Sequence, residues 1–272
     1  MARFSIDPDL SSVMAFEDVS LTMPRADRRS GQGRRHRLRR LAGETKTRQV
    51  QVLDGISFEV RPGEAVAVLA DDGEGCEEVL RLAAGTLMAD GGTVRRRTRV
   101  VPMLDDSRCL DASYTVRQNI YVVGALLGMS PEEVAANLGW ITRMADTGKW
   151  MDAYLSAAPK NLRQRIVWTT SMATRAEAFA IEESIVVGKD EVADRCWRHV
   201  EELRDAGVAF LVTSGDAQAL ERFCTRAIVL RDGRVIADTS IGAALEMVSL
   251  HTHRHVHLEA PPDDDDEIGP VV

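Results

Sequence analysis

Two short segments of the sequence carry residue types that handle phosphate groups and activate water. The first is ADDGEGCEE (residues 70–78), a glycine-containing loop between an apolar run and a helical pattern. Loops of this kind cradle phosphates with backbone N–H groups, a lysine reaches the outer phosphates, and a Ser or Thr hydroxyl holds Mg²⁺. The second is Glu182-Glu183, at the end of the strand-like run 176–183. A carboxylate pair there could bind a divalent cation or act as a general base.

The first segment departs from a working phosphate loop in its side chains. Cys76 stands at the lysine position, and Glu77 stands where a hydroxyl would hold Mg²⁺. Gly73 and Gly75 remain, which predicts that the tight turn is kept. The carboxylates of the loop are Asp71, Asp72, Glu74, Glu77 and Glu78. Two unit charges near 4 Å interact by about 4 kcal/mol at an effective dielectric of ~20, so an acidic loop without lysine predicts weak or absent triphosphate binding.

The runs around these segments alternate between strand and helix. Residues 50–60 alternate like a strand, and 64–70 form a continuous apolar run that is typical of a buried parallel strand. One or two further strands are predicted in 93–104, others at 176–183 and 207–214, and a hairpin turned by Asp232-Gly233 at 226–240. Helical spacing occurs at 77–87, 115–128, 131–146, 160–174 and 190–206. This order predicts an α/β fold with a largely parallel sheet.

The framework resembles the ATP-binding subunits of ABC transporters over about residues 13–248. DGISFEVRPGEAVAVLA, LRLAAGTLMADGGTV and RAIVLRDGRVIAD have the spacing of that family. TVRQNIYVVGALLGMSPEEV and VVGKDEVADRCWRHVEELRDAG look like the subgroup that serves polysaccharide, O-antigen and teichoic-acid exporters. The resemblance implies a P-loop NTPase-like ABC nucleotide-binding domain over residues 1–248. It would have a mostly parallel sheet, an antiparallel β edge and a helical subdomain at about 105–165.

The resemblance also implies a site for ATP and Mg²⁺, and several of its motif positions are altered. Glu183 takes the general-base position, Gly215 replaces the switch His, and residues 159–162 replace the signature loop. The implied cofactor-binding positions are Gly73, Gly75, Cys76, Glu77, Glu78 and Glu182. In this family, the P-loop of one subunit faces the signature loop of its partner, so a homodimer would contain no intact site. The sequence therefore predicts a nucleotide-impaired pseudo-ATPase with a structural or regulatory role. An active transport ATPase and an interaction scaffold outside transport are the alternatives.

The net charge of −8 is unevenly distributed. Residues 25–48 contain ten Arg or Lys against two acids, whereas 263–267 read DDDDE. The body is not basic, which disfavours nucleic acid as a partner. The basic segment 24–48 is predicted to be a flexible loop between the first two strands, and it either contacts anionic lipid or a glycan-lipid or is simply a solvated charged loop. Residues 249–272, which include four alternate histidines at 251–257, are predicted to be a disordered tail.

Composition also bears on location and partners. No apolar run reaches the ~18 residues of a membrane-spanning helix, and the N-terminus lacks the apolar core of a secretory signal. The four cysteines have no metal-site spacing, which fits a reducing cytosol. The resemblance implies a cytoplasmic protein, peripheral on the inner face of the cell membrane. Its expected partners are an integral-membrane export permease, docked through the helical subdomain, and a second ATPase subunit in a homo- or heterodimer.

Overall fold

The computed structural model of the protein describes residues 5–6, 11–26, 47–71, 73–103 and 109–248. These residues form two β-sheets with helices packed around them, which confirms the predicted α/β class. Asp72, residues 27–46 of the basic segment and the predicted tail 249–272 lie outside the described residues.

A six-stranded sheet carries the strands that end at the candidate site. In spatial order they are β10 (Arg234–Ser240), β9 (Arg226–Arg231), β4 (Ala65–Ala70), β8 (Ala209–Thr213), β7 (Ala178–Glu182) and β6 (Val100–Met103). Neighbours are parallel except for the antiparallel pair β10–β9, which is the predicted hairpin. Every residue of β4 is buried, as expected for an apolar strand inside a parallel sheet. The parallel order brings the carboxyl ends of β4, β8, β7 and β9 to one edge.

A four-stranded sheet lies beside it. Its order is β1 (Ser5–Ile6), β5 (Gly91–Arg96), β2 (Met14–Ala26) and β3 (Thr47–Val60), with β2 antiparallel to both of its neighbours. The β2–β3 ladder continues to the pair Ala26 and Thr47, so residues 24–26 and 47–48 are strand. The prediction of a loop over all of 24–48 was therefore wrong at its two ends, because backbone pairing extends into the basic segment.

The predicted helices are all present, within a few residues of their expected bounds. They are α1 (Cys76–Ala84), α2 (Val116–Leu126), α3 (Pro131–Ala145), α4 (Leu162–Met172) and α5 (Asp190–Asp205). Capping boxes begin α2, through Thr115 and Gln118, and α3, through Ser130 and Glu133. Two further helices were not predicted, namely α6 (Ala217–Phe223) and α7 (Ile241–Met247). With seven residues each, they are too short to show a clear helical period.

Alternate residues of β4 belong to two hydrophobic clusters on opposite faces of the six-stranded sheet. Ala65, Ala67 and Leu69 belong to a cluster that continues into α2 to α5. Val66 and Val68 belong to one that continues into α1 and the four-stranded sheet. The predicted helical subdomain thus shares a core with the parallel sheet. Within the described part of the chain, no helix has the length and apolarity to span a membrane.

Candidate functional site

The glycine loop keeps the backbone shape that its sequence predicts. β4 ends at Ala70, whose carbonyl accepts a hydrogen bond from the Gly73 N–H at 3.2 Å. Gly73 and Gly75 are both left-handed, with φ of 73° and 86°, and α1 begins directly after Gly75. A Cβ on Gly75 would lie 2.9 Å from Leu53 Cδ2 and would also be strained by the positive φ. The two glycines therefore have the left-handed backbone that a tight turn from strand to helix requires.

A buried arginine fixes α1 at its other end. Arg96 is 3% exposed, and its guanidinium donates to the carbonyls of Leu82 and Ala83 in the last turn of the helix. Burial lowers the pKa of Arg96 to about 10, which leaves the side chain charged at neutral pH. A cation at the carboxyl end complements the helix dipole, so α1 is held with its amino end at the loop.

The side chains at the start of α1 do not supply the lysine and the hydroxyl of a phosphate loop. Cys76 is 4% exposed and lies in the hydrophobic cluster below the loop, so the lysine position holds a buried thiol. The Glu77 carboxylate is paired with Arg81 one turn further along, at 3.3 Å. Glu78 is half-buried and makes no ion pair with the described residues. These three positions offer no ammonium group and no hydroxyl.

Two further carboxylates of the loop are held by arginines from distant strands. Asp71 accepts from Arg231 of β9, at 2.9 Å from its Nη2 and 3.2 Å from its Nε. Glu74 is ion-paired with Arg25 near the end of β2. The expectation of acid without counter-cation was therefore wrong for Asp71, Glu74 and Glu77. Sequence reasoning missed Arg25 and Arg231, because nothing local in the sequence places them at the loop.

The carboxylate pair lies on the same edge of the sheet as the loop. Glu182 is half-buried and ends β7, where it is in register with Thr213 of β8. Because β8 lies between β7 and β4, and strands are about 4.8 Å apart, the pair is roughly 10 Å from the end of β4. The sheet thus brings Glu182 and Glu183 to the same edge as the loop.

Glu183 is exposed and adopts a left-handed backbone, with φ of 62°. This conformation is uncommon outside glycine and carries strain. Two hydrogen bonds to the next strand hold it: the Glu183 N–H donates to the Thr213 carbonyl at 2.8 Å, and the Ser214 hydroxyl donates to the Glu183 carbonyl at 2.6 Å. The backbone at the general-base position is therefore fixed by β8 and not by the loop.

The switch and signature positions lack the expected groups. Gly215 follows the buried Ser214, and the next residue, Asp216, caps α6 by accepting from the Gln218 and Ala219 N–H groups. At the other position, α4 begins at Leu162 without a side-chain cap from Asn161. No three His, Cys, Asp or Glu side chains come close enough to bind a metal within the ranges that the structure covers.

The helical subdomain presents an exposed aromatic pair that sequence reasoning did not single out. Tyr114 and Tyr154 are 44% and 62% exposed. Their segments are joined by a bridge between Thr115 and Tyr154 and by the Leu155 N–H, which donates to the Tyr114 carbonyl at 2.8 Å. Asn119 is fully buried, and its amide nitrogen donates to the carbonyls of Asp111, Tyr114 and Thr115. The backbone segments that carry the two tyrosines are therefore joined by hydrogen bonds.

An open cleft of about 650 Å³ lies at the opposite, amino end of the six-stranded sheet. Its lining includes Arg61, Arg95 and Arg226, and each is paired with a carboxylate. The cleft is thus separate from the glycine loop and has its charges compensated internally.

Comparisons with known proteins find relatives among ATP-binding proteins of ABC transporters. The chain is 28% identical over 209 residues to the ABC transporter protein AbcA of Aeromonas salmonicida, covering 77% of this chain and 67% of that protein. It is 27% identical over 206 residues to the O-antigen export system ATP-binding protein RfbB of Klebsiella pneumoniae, covering 76% and 82%. It is 28% identical over 208 residues to the Nod factor export ATP-binding protein I of Paraburkholderia xenovorans (strain LB400), covering 71% and 67%. No family model matches the sequence.

Solved structures give the same result for the fold. An ATP-binding subunit of an ABC transporter superposes with a TM-score of 0.64 at 17% identity, covering 89% of this chain and 95% of that one. A dimeric ATP-binding cassette bound to ADP and phosphate also gives 0.64, at 14% identity, covering 84% and 98%. The protein has the fold of an ABC transporter nucleotide-binding cassette. In sequence it resembles ATP-binding subunits of the polysaccharide exporter type.

Proposed function

We propose that this protein is the ATP-binding-type subunit of an export transporter whose cargo is a polysaccharide or a related glycan. Two curated relatives are named for O-antigen export and Nod factor export. The match covers about three quarters of this chain in both cases, and the structural likeness extends through the helical subdomain. The protein would act at the inner face of the cell membrane, peripheral to an integral permease and paired with a second cassette subunit.

In this proposal the subunit is nucleotide-impaired and has a structural or regulatory role. This proposal rests on one observation: the glycines of the turn are present, but the lysine and the hydroxyl that would bind phosphate and Mg²⁺ are absent. Gly73 and Gly75 shape the loop, yet Cys76 is buried in the core and Glu77 is paired with Arg81. ATP and Mg²⁺ would thus meet backbone N–H groups without the lysine and the hydroxyl that the family resemblance implies. Losing one close attraction to a phosphate costs a few kcal/mol, or several decades in affinity.

A nucleotide-binding measurement tests this part of the proposal. Purified protein is titrated with MgATP in a calorimeter, and phosphate release is followed over the same concentrations. We expect no saturable binding at micromolar ATP and no Mg²⁺-dependent turnover. The matched variant is Glu183→Gln, which removes the remaining general-base candidate. Micromolar affinity together with turnover that Glu183→Gln abolishes would favour the alternative of an active transport ATPase.

The exposed tyrosine pair supports docking on a permease through the helical subdomain. Tyr114 and Tyr154 are large, amphipathic and exposed on joined backbone segments, and tyrosine is common among residues that anchor protein interfaces. Co-expression with a candidate permease followed by affinity capture tests this surface. We expect Tyr114→Ser/Tyr154→Ser to lose the complex and Ile236→Ser, at another exposed apolar position, to retain it. Unchanged capture of the double variant would contradict docking through these tyrosines, and failure of the wild type to capture any candidate permease would favour a scaffold that works outside transport.

The basic segment 24–48 is proposed to contact anionic lipid or a glycan-lipid. Residues 27–46 lie outside the described structure, so this proposal rests on the ten basic residues of the stretch 25–48. Each Lys or Arg near an anionic membrane surface contributes about 1 kcal/mol. Sedimentation with phosphatidylserine vesicles should capture the protein and should fail after deletion of residues 28–46. Equal capture by neutral phosphatidylcholine vesicles would contradict a charge-based contact.

A further inference from the structure

Two arginines converge on the glycine loop from different sheets. Arg25 reaches Glu74 from β2 of the four-stranded sheet, and Arg231 reaches Asp71 from β9 of the six-stranded sheet. The contacts span 49 and 160 residues of sequence. Asp71 and Glu74 lie on either side of Gly73 in the sequence, and Gly73 has a left-handed backbone. Neither pair is needed to explain why α1 forms, since Gly75 and Arg96 already fix its two ends.

These arginines carry the chemistry that recognises phosphate. A guanidinium group presents planar N–H donors that bind carboxylate and phosphate oxygens with similar geometry. At this loop, the donors are used by carboxylates of the loop itself. The Arg231 side chain is 51% exposed and that of Arg25 is 39% exposed, so both groups remain within reach of solvent.

From this geometry we propose that Asp71 and Glu74 form an autoinhibitory latch. They occupy Arg231 and Arg25, and in this way they keep polyphosphate away from Gly73, Gly75 and the amino end of α1. The proposal deepens the nucleotide-impaired function proposed above, because it names the groups that keep the loop empty. The latch differs from simple acidic repulsion, because it requires the arginines: neutralising the two acids should uncover two cations as well as remove two negative charges.

The test asks whether a double variant of the chain binds tripolyphosphate more tightly than the wild type does. Sodium tripolyphosphate is titrated calorimetrically at low ionic strength into the wild type and into Asp71→Asn/Glu74→Gln. We expect the double variant to bind at least about tenfold more tightly, since two repulsive charges are removed and two arginines lose their carboxylate partners. Adding Arg25→Gln and Arg231→Gln to that variant should abolish the gain. The charge-matched control Glu221→Gln/Glu246→Gln, at exposed sites on α6 and α7, should bind as the wild type does.

Three results would overturn the latch: no gain in the double variant, a gain that survives removal of both arginines, or an equal gain in the charge-matched control. If the double variant fails to fold by circular dichroism, Asp71→Asn and Glu74→Gln are measured separately, and each should gain about threefold. Failure of the latch is distinguishable from failure of the proposed function. Tight MgATP binding by the wild type contradicts the function, whereas an inert wild type with an inert double variant contradicts the latch alone.

Discussion

Both ends of the six-stranded sheet carry arginine–carboxylate ion pairs, but the side chains of the pair at the amino end are less exposed than those at the carboxyl end. At the amino end, Arg226 donates to the carboxylates of Glu64 and Asp238, each at 2.7 Å, and to the Glu59 carbonyl at 2.6 Å. At the carboxyl end, Arg231 donates to Asp71 alone among the described residues. The side chains of Arg226 and Glu64 are 20% and 24% exposed, whereas those of Arg231 and Asp71 are 51% and 45% exposed.

This difference separates a structural contact from a surface contact. Arg226 joins β9 to β10 and to the start of β4, and water cannot easily replace its three acceptors once the strands have packed. Exposed ion pairs exchange readily with water and add little to folding. The Arg226 network therefore contributes to the stability of the sheet, whereas the Arg231–Asp71 pair contributes little. The carboxylates of the glycine loop that pair with arginines are all in contacts of this second, exposed kind.

The largest effect is expected from Arg226→Gln. It removes the guanidinium donors that Glu64, Asp238 and the Glu59 carbonyl share in a partly buried network, so the free energy of unfolding should fall by about 2–3 kcal/mol. Urea denaturation of the variant and of Arg231→Gln gives the comparison directly. A loss of the same size in both variants would remove the distinction between the two ends.

The next effect concerns a partly buried hydrogen bond at the carboxyl end. Ser214 is 9% exposed, and its hydroxyl donates to the Glu183 carbonyl at 2.6 Å and accepts from the Asp216 N–H at 3.1 Å. We expect Ser214→Ala to lower the free energy of unfolding by about 1 kcal/mol, since both hydrogen bonds are lost. Denaturation beside Ser113→Ala, which removes an exposed hydroxyl, provides the control. An unchanged free energy of unfolding would show that these hydrogen bonds contribute as little to stability as the exposed ion pairs of the loop.

A smaller effect, of opposite sign, is expected at Glu183. Its left-handed backbone suits glycine, so Glu183→Gly should raise the free energy of unfolding by about 0.5–1 kcal/mol. Glu183→Ala removes the same carboxylate but keeps the strain, and it should not stabilise. Thermal melting of both variants separates backbone strain from charge. Equal stabilisation by both would assign the effect to the carboxylate.

The smallest effect is expected for the pair Arg25 and Glu74. A double-mutant cycle with Arg25→Gln and Glu74→Gln should give a coupling of under about 1 kcal/mol, because both side chains are more than a third exposed. High salt should reduce it further by screening. A coupling that is large and insensitive to salt would show that this pair stabilises the fold, as the Arg226 network does, and is not a weak surface contact.

Much of the framework could be predicted because its signals are local. The apolar run of β4, the Asp232-Gly233 turn and the capping sequences of α2 and α3 each encode their structure within a few residues. The left-handed Gly73 and Gly75 were likewise predictable from their place between a strand and a helix. The helices α6 and α7 were missed because seven residues give too little periodicity.

The electrostatics of the loop could not be predicted in the same way. The sequence shows five acids in 70–78, and counting charges suggested that they lack partners. Arg25 and Arg231 come from strands whose positions at the loop depend on sheet order and register. Neither property follows from local patterns. The strain at Glu183 was equally invisible, because it arises from hydrogen bonds to β8.

The contacts around the loop bear on how phosphate-binding side chains could be introduced into it. Placing lysine at position 76 alone would insert a cation into the apolar packing around Leu53 and Leu80, while Asp71 and Glu74 would still hold their arginines. A hydroxyl at position 77 would in addition cost the contact with Arg81. Single substitutions would therefore disturb contacts that are already in place, and several residues would have to change together before the loop offered both a lysine and a hydroxyl to a phosphate group.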